Sequence, residues 1–153
     1  MKSFCIIVTC LLSISILPSI LSAAEYGTAA EAKAMLERAV MAVERDPAKA
    51  LIDFTEGKEM FKEKDLYVFC FDMNTEKVNA HGAKASLIGY DVNQMKDKTG
   101  KLFGKELIKN AVEKEYREVS YLWPRTPDAA EPSPKSSYVT RVGDIACGVG
   151  YYK

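Results

Sequence analysis

Two spacings of apolar residues divide the chain. Over residues 29–44, Ala32, Met35, Leu36, Ala39, Val40 and Val43 recur at intervals of three and four, with Glu31, Lys33, Glu37 and Arg38 between them. That is the period of a helix with one buried stripe. Asp46 then precedes Pro47, an N-cap followed by proline at the first helical position, and predicts a second, short helix through Ala50, Leu51 and Phe54. Gly57 is expected to end it.

Beyond this point the period falls to two. Residues 66–72 are rich in aromatic and β-branched types and too few for a helix, so they predict a strand. Alternation places Tyr67, Phe69 and Phe71 on one face and Val68, Cys70 and Asp72 on the other. Asn74 supplies a turn and residues 77–81 return as the second arm of a hairpin. After a polar connection over 89–98, Leu102, Phe103, Leu107, Ile108, Ala111 and Val112 mark a third helix. Strands are expected at 117–123, 137–142 and 145–152. The intervening 124–134 carries four prolines, which exclude it from a sheet interior and predict a lid or a tip. The order is α+β, with one mainly antiparallel sheet.

The first 24 residues follow a different rule. Lys2, an apolar run from Phe4 to Leu17, Pro18 and then Ser22, Ala23 and Ala24 have the layout of a secretory signal cut ahead of Glu25. An uncleaved membrane anchor is the rival reading, against which Ser13, Ser15 and Pro18 weigh. Residues 25–153 are then one domain with one core. Only Lys2 among the charged residues lies in the leader, so the remainder carries 20 basic and 21 acidic side chains. That balance gives no long-range field for nucleic acid or an anionic membrane. A periplasmic or secreted location follows.

Cysteine usage fits that location. Cys5 and Cys10 leave with the leader, and Cys70 and Cys147 remain in expected strands. In an oxidising compartment they either pair as a disulfide or pack as two buried thiols. Neither belongs to a CxxC, so no metal, haem or other cofactor is expected.

Six short blocks carry a resemblance. They are Asp65 to Asp72 with Asn79-Ala80-His81, Leu87 to Asp91, Asp97 to Phe103, Tyr121 to Pro124, Lys135 to Val139, and Gly148 to Tyr152. In this order they resemble the single Cache domains, extracytoplasmic sensor modules related in fold to PAS domains. The resemblance implies a five-stranded sheet with a long N-terminal helix on one face and a small-molecule pocket on the other. It also implies a small carboxylate or amino acid as ligand. Family members usually sit on the outside of chemoreceptors and histidine kinases. Here Gly82 stands where the family commonly has proline, and the chain reaches Lys153 without a second membrane helix or a signalling domain. A stand-alone module working with a membrane-bound receptor or transporter is therefore expected.

Candidate site residues come from the later strands and from the hairpin and connection before them. Tyr121 and Trp123, two apart, share a face and offer aromatic walls with one polar group each. Lys135 enters the next strand, where it can meet a carboxylate through a charge-assisted hydrogen bond. Tyr138, sharing a face with Ser136, is a donor to a ligand oxygen. His81 is the only histidine, and contact with a carboxylate would make binding strengthen as pH falls. Tyr90 and Met95 are candidates to close the pocket. Gly148 and Gly150 leave room for an aromatic ring or a ligand.

Catalysis finds no support. His81 is the only histidine base and no GxSxG accompanies it. Asp72, Asn74 and Glu76 lack the glycine and terminal glutamate of a calcium loop. The expected function is a small-molecule-binding sensor module. The alternative is a structural or interaction module that uses its N-terminal helix to dimerise or to dock on a partner.

Overall fold

The computed structural model describes residues 26–153 except residue 127; the expected leader, 1–24, and its cut lie outside the described residues. Helix α1 (Ala29–Arg45) starts at a capping box. The Thr28 hydroxyl accepts from the Glu31 N–H at 3.2 Å, and the Glu31 carboxylate accepts from the Thr28 N–H at 2.8 Å. Its buried stripe is Ala32, Met35, Leu36, Ala39 and Val43. Helix α2 (Pro47–Glu56) follows as the Asp46-Pro47 pair predicts, with Asp46 accepting from the Lys49 N–H at 3.0 Å and Gly57 ending it in the left-handed conformation.

The remaining elements are β1 (Lys62–Glu63), β2 (Leu66–Asp72), β3 (Val78–His81), α3 (Phe103–Asn110), β4 (Arg117–Trp123), β5 (Ser133–Val142) and β6 (Ile145–Tyr152). Every strand pairing is antiparallel. The sheet runs β1-β2-β6-β5-β4, with β3 also on β2. Because β6 takes one edge of β2, the two-residue β1 and β3 share the other, leaving five strands of substance. The fold is the expected α+β arrangement, a helix-backed antiparallel sheet with β6 in its middle.

Two boundaries differ from the sequence pattern. Strand β5 starts at Ser133, inside the proline-rich segment, and Pro134 pairs with Leu122. Proline is tolerated there because it stands near the strand's start, and its carbonyl still accepts from the Lys153 N–H at 3.1 Å. The segment between β3 and α3 also winds through two 3-10 turns, Ala85–Leu87 and Val92–Gln94.

Each face of the sheet buries its own core. Beneath α1 and α2 lie Val68, Cys70, Ala80, Cys147 and Val149, with Cys70 and Cys147 joined as a disulfide directly across β2 and β6. On the opposite face Tyr67, Phe69, Phe71, Val78 and Val139 meet Val92, Phe103 and Leu107. Helix α3 and the turn at Val92–Gln94 thus roof the second face. Gly104 permits this closeness, since a Cβ there would stand 1.7 Å from the Val92 carbonyl oxygen. The free edge of β4 is capped by side chains: Lys101 donates to the Ser120 carbonyl at 2.7 Å, and Asp97 accepts from the Leu122 N–H at 3.1 Å.

Candidate functional site

The roofed face holds two neighbouring spaces. The inner one, about 20 Å³, is almost filled by apolar side chains including Phe69, Phe71, Phe103 and Leu107. The outer one, about 170 Å³, is lined by Tyr67, His81, Ala83, Lys84, Trp123, Pro124, Arg125 and Thr126. Tyr67, His81 and Trp123 belong to both. The site therefore has an apolar floor and a polar mouth where the end of β3 meets the loop after β4.

Of the residues picked out from sequence, His81, Tyr121 and Trp123 converge here. Tyr121 stacks on Phe103 with centroids 4.1 Å apart, its hydroxyl 2.8 Å from Ser137 Oγ, and Trp123 meets both rings edge-on. The His81 Nδ1 accepts from the N–H groups of Lys84 at 2.9 Å and Ala83 at 3.3 Å. The ring proton thus belongs on Nε2, which has no hydrogen-bond partner among the described residues. Burial, reinforced by the charge of Lys135, holds the histidine down at about 4. His81 is a neutral N–H donor across the physiological range.

Lys135 lies one layer behind the mouth. It is 1% exposed, and its Nζ donates to the Tyr67 hydroxyl at 3.0 Å while standing 4.3 Å and 4.7 Å from the ring centroids of Tyr67 and Tyr152. Gly150 makes its place, since a Cβ there would fall 2.2 Å from Lys135 Cε; Gly148 does the same for Phe69. No ion pair among the described residues includes Lys135. Burial, only partly opposed by the charge of Asp65, brings its ammonium down to about 7.

Two expectations, Tyr138 and Tyr90, find their residues elsewhere. Tyr138 packs with the helix-side core and stacks on Tyr151 at 5.9 Å, away from both cavities. The reason is the period of the strand: Lys135 and Tyr138 are three apart, so only one of them can face the site. Tyr90 is 45% exposed and lines neither cavity. Met95 does reach the inner space, as a wall rather than a lid.

Tyr67, Lys84 and Arg125 are wall residues that the sequence pattern did not single out. Tyr67 had a signal, because its alternation with Phe69 and Phe71 placed it on an aromatic face. Arg125 had none, lying in the proline-rich loop. Its Nη1 pairs with Asp65 at 2.9 Å, and its guanidinium is held between the rings of Tyr26 at 4.1 Å and Tyr152 at 4.3 Å. Burial raises Tyr67 well above the usual phenol range, so it remains a donor. By accepting from Lys135, its hydroxyl becomes a stronger donor toward the cavity. The outer wall then offers Tyr67, His81, Lys84, Trp123 and Arg125 as donors or cations and, among the described residues, no acidic side chain. Such a wall suits an anion.

A family model described as a Cache domain matches residues 38–152. Among solved structures, a methyl-accepting chemotaxis protein from Vibrio parahaemolyticus RIMD 2210633 is 24% identical over 80% of this chain and 86% of that one, with a TM-score of 0.61. The periplasmic sensor domain of a chemotaxis protein is 24% identical over 78% and 86%, with a TM-score of 0.57. A Cache chemosensory domain whose structure explains carboxylic acid recognition is 23% identical over 78% and 84%, with a TM-score of 0.56. At these identities the solved structures speak to the fold. No curated protein matches the chain.

Proposed function

The chain belongs to the Cache domain family, and from that footing we propose that it is an extracytoplasmic sensor module that binds a small organic acid or amino acid. The observation that carries this reading is the outer cavity wall, which presents Tyr67, His81, Lys84, Trp123 and Arg125 and, among the described residues, no carboxylate. An anion there gains charge-assisted hydrogen bonds, whereas a cation finds no carboxylate among the described residues of the wall. The space of about 170 Å³ favours a small ligand. The carboxylic acid recognised by one of the structural neighbours agrees with this class. No helix among the described residues is long and apolar enough to cross a membrane, and the module works through a membrane-bound receptor or transporter after removal of residues 1–24. Its role is binding rather than catalysis.

A thermal-shift screen against mono- and dicarboxylates, amino acids and amines tests it. A ligand at about 100 times its dissociation constant adds roughly 2.7 kcal/mol of stability. A saturable shift confined to carboxylate-bearing compounds, lost in Arg125→Gln and His81→Phe, is the expected result. No shift with any class, in protein refolded to strip carried-over ligand, overturns the reading. The second reading, an interaction module, draws on the groove between α1 and α2, where Met41 and Met60 are 55% and 59% exposed. It predicts that changes at those methionines break an assembly and leave the cavity irrelevant.

A further inference from the structure

Arg125 touches more than the cavity. The carboxylate that holds it, Asp65, uses its other oxygen to accept the N–H of Gly27 at 2.7 Å, while Tyr26 covers one face of the guanidinium. Tyr26 and Gly27 immediately precede Thr28, the cap of α1. The same corner is tied a second time, by Lys64 to Glu31 at 2.6 Å. The start of α1 is therefore fastened to the turn between β1 and β2, and Arg125 reaches that fastening from the loop that lines the cavity.

We propose that Arg125 is shared between two carboxylates, one from Asp65 and one from the bound ligand, so that filling the cavity loosens the latch on Tyr26 and Gly27 at the start of α1. Only Nη1 of Arg125 is hydrogen-bonded among the described residues, so the guanidinium has donors to offer a second acid. Each carboxylate weakens the other's hold, because the two repel and divide one positive charge. Leaning toward the cavity also costs the guanidinium its contact with the Tyr26 ring, which is 48% exposed and free to move away. The coupling is reciprocal: whatever frees the latch must tighten the ligand by the same factor. This inference rests on the reading of the cavity as an anion site.

Acetate, propionate, succinate and glutamate serve as probes, with exchange of the Gly27 amide followed by NMR and affinity by calorimetry. With a probe that binds, the Gly27 amide is expected to exchange about five-fold faster at saturation, while the amide of Val149, in the middle of the sheet, keeps its protection. Tyr26→Ala, an exposed residue outside the cavity, is expected to bind the probe about five-fold more tightly, and Asp65→Asn likewise. A probe that binds yet leaves Gly27 exchange and the Tyr26→Ala affinity unchanged overturns the coupling and spares the binding reading. If no probe binds, both fall together.

Discussion

Lys135 shows what burial does to a charged side chain. Its ammonium is buried against the rings of Tyr67 and Tyr152 and the Tyr67 hydroxyl, and the pull of Asp65 offsets only part of the loss of water. With the ammonium at about 7 in the empty site, a carboxylate nearby stabilises the protonated form and lifts that value. Affinity is then full below pH 7 and declines above it, several-fold between pH 6 and pH 8, as titration calorimetry across that range should record. His81, held near 4, contributes no slope there, which moves the pH dependence expected from the histidine onto the lysine. Lys135→Met should flatten the profile and at the same time raise the melting temperature, because a buried charge without a partner is replaced by an apolar chain of similar length. A profile that stays flat in the unaltered protein would remove the lysine charge from the account of binding.

At the level of elements, the strands separate residues by face more sharply than by sequence distance. Tyr138→Ala is expected to leave the ligand response intact and to cost about 1–2 kcal/mol of stability in denaturant melts, since the ring packs on Tyr151 beneath α1. Much of the architecture was legible in the chain because it is written in local rules. Ala29 to Glu44 carries a helical stripe, Asp46-Pro47 a restart, and residues 66–72 an alternation that sorted Tyr67 from Val68 correctly. The site was legible only in part. Alternation within β5 could have told Lys135 from Tyr138, but it could not say which of them faces Tyr121; that follows from the cross-strand register, which sets Lys135 opposite both Tyr121 and Tyr152. Arg125 left no trace because its place depends on Asp65, 60 residues away. Pro134 misled for a simpler reason: a missing N–H matters in the middle of a ladder and much less at its start.

For the molecule as a whole, the titrating groups combine into a stability profile. His81 binds a proton more readily unfolded than folded, so stability falls as pH drops from about 6.5 through 4. Lys135 has the same sign at higher pH: its penalty is full below 7 and is shed as pH rises toward 10.5. Tyr121, which burial pushes up to about 12, acts oppositely, and the stability it supports is lost as pH climbs from 10 through that value. Melting temperatures should therefore peak on the alkaline side of neutrality, between pH 8 and 10. The disulfide adds a constraint of another kind. Closing a separation of 77 residues, it should contribute about 4 kcal/mol, measurable as the difference in denaturant stability between the oxidised protein and Cys70→Ala/Cys147→Ala. The same bond marks an oddity of the chain order. The sheet's middle strand is β6, which leaves the ribosome after every other strand of the sheet, and its eight residues join β2 to β5. Until they emerge, the nascent chain holds two hairpins with bare inner edges and nothing between them. Such a protein cannot assemble progressively as it is made; it must wait, unfinished and in need of shielding from its neighbours, and then close all at once.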